Sequence, residues 1–271
     1  MRFFRYVLFA LFALYALAVL AVFFFGETIA FVPPKTAYEI DWPGYIAIET
    51  REGETVAARW SPRTDANKTV LFAHGNAEDL ANLSPVIRGF NEMGYSVLVF
   101  DYAGYGRSAG KPSEEGLYAS SLAAWDFLTN IQKIAPENIV VVGYSMGGAS
   151  ACYLASVENP AGIVLISAFA SPMHVMAPFD FLPWNFLNNR AWAKNVKCPV
   201  LLIHGTMDKT VPYRNAPLLA KAFRSPARLI TLAGYDHFGI LPPRGNALWR
   251  GIGKFINTPA ALEEISFSDK Q

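Results

Sequence analysis

The sequence predicts an α/β fold: a mostly parallel, twisted sheet with helices on both faces. Three observations predict it. Short apolar runs alternate with longer amphipathic ones along most of the 271 residues. The short runs are continuous in Val, Ile and Leu, as strands covered on both faces require. Turn-forming residues bound these runs, and strand–helix alternation of this kind gives parallel strands joined by right-handed crossovers.

The chain begins with a segment of a different kind. No charged residue occurs over residues 6–25, and about twenty apolar residues rising 1.5 Å each are long enough to cross a hydrocarbon core. A cleavable signal has an apolar region of about 7–15 residues followed by small side chains, whereas this run ends in Phe23, Phe24 and Phe25. One uncleaved N-terminal transmembrane helix over residues 1–26 is therefore expected. Arg2 and Arg5 precede the uncharged run and the next basic residue is Lys35, so the positive-inside rule places the N-terminus in the cytoplasm. The rest of the chain would then be extracytoplasmic: periplasmic, lumenal or extracellular. Residues 27–44 contain Val32-Pro33-Pro34 and Trp42-Pro43, suit no regular element and are expected as a juxtamembrane linker.

Residues 45–257 then have the length that one α/β core fills. Runs at 45–49 and 55–60 have no helix between them and predict an antiparallel hairpin at a sheet edge. Apolar runs at 70–73, 96–100, 139–143, 162–167 and 200–204 predict buried strands, and the stretches 80–93, 114–131, 147–157, 214–224 and 247–256 are each long enough for a helix. Residues 168–197 break this rhythm with Phe169, Phe179, Phe181, Trp184, Phe186, Trp192 and three prolines, and are expected as a short cap insertion over the carboxyl edge of the sheet. Residues 258–271 complete the chain as a tail.

Composition narrows the partners. A net charge of +1 with 17% charged residues offers no basic surplus for nucleic acid, and 52% apolar residues point instead to neutral or apolar small molecules and to a membrane. Cys152 falls in an expected helix and Cys198 just before an expected strand, both places for buried thiols rather than a disulfide framework. The sequons at Asn67 and Asn82 are of a number that chance supplies. No metal spacing and no phosphate-binding glycine loop occurs, so neither metal nor cofactor is expected.

The chemistry is concentrated at Gly143-Tyr144-Ser145-Met146-Gly147, between an expected strand and an expected helix. A serine on so sharp a turn is exposed for reaction, and glycines two residues to either side keep the strand and helix from colliding. A hydroxyl needs a base to take its proton, and only four histidines are available. His74 and His204 each end a strand before a glycine and suit core or turn roles; His174 lies in the aromatic insertion without a fixed framework. His237, in the loop after 228–232, is left as the base. The imidazole in turn needs a carboxylate. Glu158 stands roughly 18 Å along the following helix, Asp180 is in the insertion, and Asp236 adjoins His237 too closely. Asp208, just beyond the strand at 200–204, is the remaining choice. Donors for an oxyanion are expected at the N–H groups of Met146 and Asn76. Tyr144, Phe169 and His174 are expected to contact substrate. The loop 101–108 reads as a glycine-bearing turn that shapes the pocket at most.

Taken together, His74-Gly75-Asn76, the stretch 101–108, the elbow at 143–147, His204-Gly205-Thr206-Met207-Asp208 and Asp236-His237 resemble the α/β-hydrolase superfamily over about residues 45–257. With the anchor, the segments His74-Gly75-Asn76-Ala77 and 143–147 are similar to its membrane-anchored α/β-hydrolase domain-containing branch, which includes lipid hydrolases and acyl-protein thioesterases. That resemblance implies an α/β-hydrolase fold with a short cap and a serine hydrolase acting on esters or thioesters of apolar acyl groups. The same residues also cleave amides, so a peptidase stays open, as does a membrane-tethered binding protein without turnover.

Overall fold

In the computed structural model, which describes residues 2–36 and 38–265, eight strands join in one sheet. The edge hairpin is present: β1 (Tyr45–Glu49) and β2 (Thr55–Ser61) pair antiparallel, with Tyr45 opposite Arg59. The strands that follow are β3 (Thr69–Ala73), β4 (Ser96–Phe100), β5 (Ile139–Tyr144), β6 (Gly162–Ile166), β7 (Val200–Gly205) and β8 (Ala227–Leu232). Their order across the sheet is β1-β2-β4-β3-β5-β6-β7-β8. β2 meets β4 antiparallel and every later pair is parallel. Hence the carboxyl ends of β3 to β8 share one edge, where an open α/β sheet carries its site.

Every residue of β3 to β7 is buried, as the unbroken apolar runs require. Alternation divides their side chains between two cores. Leu71, Ala73 and Val141 face α3 (Glu114–Asp126) and α4 (Gly147–Val157), while Val70, Phe72, Val140 and Val142 face α2 (Ser84–Glu92) and α8 (Ala247–Asn257). Cys152 and Cys198 are free, buried thiols in the first of these cores.

Some element bounds differ from the sequence-based expectation, each for a local reason. The helix expected over 80–93 is split: Asp79 caps a one-turn 3-10 helix at Leu80–Asn82, and Pro85, which lacks an amide donor, starts α2 afresh. The helix expected over 214–224 is reduced to α7 (Asn215–Ala220). Residues 168–197 hold only α5 (Pro172–Met176) and α6 (Asn189–Ala193), joined by irregular chain. Of the tail, Pro259–Glu264 forms a 3-10 turn; residues 266–271 lie outside the described residues, as does Met1.

The apolar N-terminal segment forms α1 (Arg2–Ala30), 29 residues long, about 44 Å at 1.5 Å per residue. No residue of its most apolar 18 is buried. The helix runs four residues beyond the expected end at 26, and the following stretch is not a free linker. Phe31 and Tyr38 are 4% and 2% exposed. Tyr38 donates from its hydroxyl to Asp101 Oδ2, and Thr36 Oγ1 donates to the Gly106 carbonyl at 2.8 Å. Among the described residues this proline-rich stretch forms no helix or strand, yet it is fastened to the loop that follows β4.

Candidate active site

The turn between β5 and α4 holds Ser145 at φ +53°, a left-handed conformation that costs a non-glycine residue energy and persists only where surrounding structure imposes it. Two bonds impose it: Ser145 N–H donates to the Ile166 carbonyl of β6 (2.9 Å), and Gly148 N–H donates back to the Ser145 carbonyl (3.0 Å). A Cβ on Gly143 would collide with the Gly147 carbonyl at the head of α4. One on Gly147 would collide with the carbonyl of Ala73 at the end of β3. Both glycines are therefore required by close backbone approach rather than by torsion.

His237 enters from the loop after β8 and brings its ring between Ser145 and Asp208. Its Nδ1 lies 2.7 Å from Asp208 Oδ2 and its Nε2 lies 3.1 Å from Ser145 Oγ. A carboxylate only accepts, so Nδ1 carries the proton and Nε2 is left to accept from the serine hydroxyl. Ser145, Asp208 and His237 are 8%, 6% and 4% exposed. The other three candidate acids have partners elsewhere. Asp236 Oδ1 accepts from Phe238 N–H and Gly239 N–H in its own turn, Asp180 pairs with Arg190 at 3.4 Å, and Glu158 stands 3.6 Å from Arg51.

Asp208 is held more completely than the sequence indicates. Oδ1 accepts from the N–H groups of Thr210 (3.0 Å) and Val211 (2.7 Å). Oδ2 has a second imidazole near it, His204 Nε2 at 3.3 Å, whose N–H is aimed at the Val211 carbonyl at 2.8 Å. Burial raises the pKa of such a carboxyl, but the bonds from His204, His237 and Val211 outweigh it and hold the group well below the usual carboxylate range. His204 is thus more than a core histidine, although its place at the end of β7 offers no sequence signal for this.

The N–H of Met146, at the head of α4, and the N–H of Asn76, after β3, have no hydrogen-bond acceptor among the described residues. The neighbouring Gly75 N–H is already used, donating to Glu78 Oε2 at 2.7 Å. Behind this loop, His74 is fully buried: its Nδ1 donates to the Gly75 carbonyl, and its own carbonyl accepts from Tyr102 Oη at 2.6 Å.

The three residues expected to contact substrate are all buried. Tyr144 is 5% exposed; it packs against the His237 ring and its hydroxyl donates to the His237 carbonyl at 3.2 Å, which makes it a support under the histidine loop. Phe169 is buried in the core beside the start of the cap, and its carbonyl accepts from Asn189 Nδ2. His174 is buried within the cap against Ser171 Oγ (2.9 Å), and desolvation lowers its pKa and so favours the neutral ring. Among the described residues no group of three or more His, Cys, Asp or Glu has the arrangement of a metal site.

Two comparisons decide the family. Residues 68–188 match the family described as alpha/beta hydrolase fold, and residues 184–261 match that described as TAP-like protein. The human alpha/beta hydrolase domain-containing protein 17B is 34% identical over 199 residues, which cover 69% of this chain and 67% of that protein. The chain belongs to the α/β-hydrolase family. Among solved structures, the esterase domain of a Rhodothermus marinus protein is 26% identical, with a TM-score of 0.56 over 71% of this chain and 88% of that one. The Pyrococcus furiosus esterase Pf2001 shares the fold at 20% identity, with a TM-score of 0.67 over 84% and 97% of the two chains. In this α/β-hydrolase, then, an imidazole stands between a serine hydroxyl and a carboxylate, with the N–H groups of Met146 and Asn76 close by in sequence to the turns that hold them and without an acceptor among the described residues.

Proposed function

We infer that this hydrolase cleaves carboxylic ester or thioester bonds of apolar acyl substrates through an acyl-enzyme on Ser145. The observation that carries this reading is the aligned set Asp208–His237–Ser145, at 2.7 and 3.1 Å. Ser145 Oγ attacks the carbonyl carbon as its proton passes to His237 Nε2. The imidazolium so formed is stabilised by Asp208, which stays ionised. Negative charge on the former carbonyl oxygen is met by the N–H groups of Met146 and Asn76. His237 then gives its proton to the leaving alcohol or thiol. Water, deprotonated by His237, attacks the acyl-serine, and the acid is released as the proton returns to Ser145.

Apolar substrates are favoured by what the loops present. Met207, next to Asp208, and Phe238, next to His237, are 58% and 70% exposed, and Met176 and Phe179 project from the cap. Exposed apolar side chains next to two of the triad residues and on the cap suit an acyl chain better than a charged peptide. α1 has the length and the uncharged span of a transmembrane anchor. Arg2 and Arg5 at its N-terminal end favour an N-terminus in the cytoplasm and a hydrolase domain on the other side.

The test is labelling of the full chain with a fluorophosphonate probe, followed by p-nitrophenyl esters of graded acyl length set against aminoacyl-anilides. The expected results are labelling lost in Ser145→Ala and turnover rising with acyl length. Equal labelling in Ser145→Ala would refute the nucleophile, and faster anilide than ester cleavage would refute the substrate class.

A further inference from the structure

The side chain of Asn76 does something the catalytic reading of its backbone does not use. Its Nδ2 donates to the Ala30 carbonyl at 2.6 Å, in the last turn of α1, and its Oδ1 accepts from Val32 N–H at 2.9 Å. A third bond, from Tyr105 Oη at 2.6 Å, completes the set on the same Oδ1. The amide thus reads both edges of the chain where it leaves the apolar helix, across 46 and 44 residues of sequence. Phe31, between those two contacts, is buried in the core that also contains Tyr102 and Tyr105. Further along, Tyr38 reaches Asp101, whose other oxygen accepts from Leu80 N–H at 3.0 Å, four residues beyond Asn76. At the other side of the exit turn, Glu27 Oε1 accepts from Glu114 N–H at 2.9 Å, at the head of α3.

We propose that Asn76 is a positioning residue through which the exit of the N-terminal helix sets the direction of the oxyanion-donating N–H, so that seating of the anchor controls the rate of acyl transfer, into and out of the acyl-enzyme, at Ser145. This rests on the acyl-enzyme reading above. A planar amide held at three points leaves its own Cα and backbone little rotation. The adjacent Gly75 N–H, tied to Glu78, fixes the loop on its other side. With the side-chain bonds cut, the Asn76 N–H is present but no longer aimed. Loss of a single oxyanion donor costs about 100- to 1000-fold in kcat, so misdirection alone is expected to cost less, on the order of 10- to 100-fold.

The test uses the full-length protein in lipid nanodiscs, with a p-nitrophenyl ester as substrate and the burst amplitude as the count of competent sites. Asn76→Ala removes every side-chain bond but keeps the backbone donor, and is expected to lower kcat per titrated site about 10- to 100-fold, with KM changed less than about twofold. Tyr105→Phe removes one hydroxyl and is the milder variant should Asn76→Ala fold poorly; a several-fold fall in kcat per titrated site is expected. Phe31→Ala, which unseats the exit turn without touching the loop, is expected to act in the same direction. Wild-type kcat per titrated site in Asn76→Ala and Tyr105→Phe, whatever the burst amplitude, would overturn the proposal and leave the clamp a purely structural one. A Ser145→Ala protein that still turned over the ester would instead refute the acyl-enzyme reading itself, so the two failures are distinguishable.

Discussion

His204 Nε2 lies 3.3 Å from Asp208 Oδ2, the oxygen that His237 Nδ1 approaches at 2.7 Å. One carboxylate oxygen therefore faces two imidazoles, and only His237 also reaches Ser145. The two contacts should separate by mutation. Asp208→Asn leaves a neutral amide that can present an N–H to His237, which favours the wrong tautomer, and kcat is expected to fall by about 10⁴. His204→Phe keeps a buried ring but loses both the Nε2 bond to the Val211 carbonyl and the polar edge 3.3 Å from the carboxylate, and a fall on the order of tenfold is expected. Steady-state kcat of both variants on one ester checks this ranking.

The depressed pKa of Asp208 has a stability consequence whose sign is fixed. A carboxyl whose folded value lies below its unfolded value binds protons more readily when unfolded, so its contribution is present above the ordinary carboxylate range near 4. It is lost as pH falls through that range toward the folded value. The urea midpoint of the wild type should therefore drop relative to that of Asp208→Asn between about pH 6 and pH 3. Parallel curves would show that the carboxylate gains nothing from its bonds in the folded state.

Gly147 and Gly53 offer a contrast between close approach and torsion. A methyl group on Gly147 would collide with the Ala73 carbonyl, whereas Gly53, at φ +86° in the β1–β2 turn, has nothing within 4 Å of its Cβ position. Gly53→Ala should cost only about 1–2 kcal/mol, the penalty of left-handed backbone, and keep full turnover. Gly147→Ala should displace the elbow, lower Tm further and abolish ester cleavage. Thermal unfolding and turnover of the two proteins decide it.

Much of this was legible in the chain. Strands β3 to β7 are continuous apolar runs because both sheet faces are covered, and burial on both faces leaves that mark in composition. The glycines at 143 and 147 encode a steric requirement at fixed spacing, so the elbow also reads locally. His237 and Asp208 emerge by elimination, because few titratable residues follow a strand at the right edge. Contacts that depend on tertiary approach leave no such mark. Nothing near Asn76 announces its bonds to Ala30 and Val32, and Pro33 and Pro34 signal only that the segment is irregular, not that it is fastened down. Tyr144 sits beside the nucleophile in sequence, but its side chain belongs to the opposite core from Met146.

That placement of Tyr144 carries its own expectation. Its hydroxyl supports the His237 carbonyl, so Tyr144→Phe should lower kcat several-fold by loosening the histidine loop, an effect worth about 1 kcal/mol. KM for esters of any acyl length should be unchanged. A rise in KM that grows with acyl length would instead place Tyr144 in contact with substrate.

The acyl-enzyme itself can be weighed. Full-length protein mixed with a long-chain p-nitrophenyl ester and quenched in acid during the burst should gain the mass of one acyl group, with fragmentation placing it on Ser145. The adduct should be absent from Ser145→Ala and accumulate in His237→Ala only at a greatly reduced rate. An acyl group on any other residue, or ester turnover in Ser145→Ala at the wild-type rate, would contradict the assignment of Ser145 as the nucleophile.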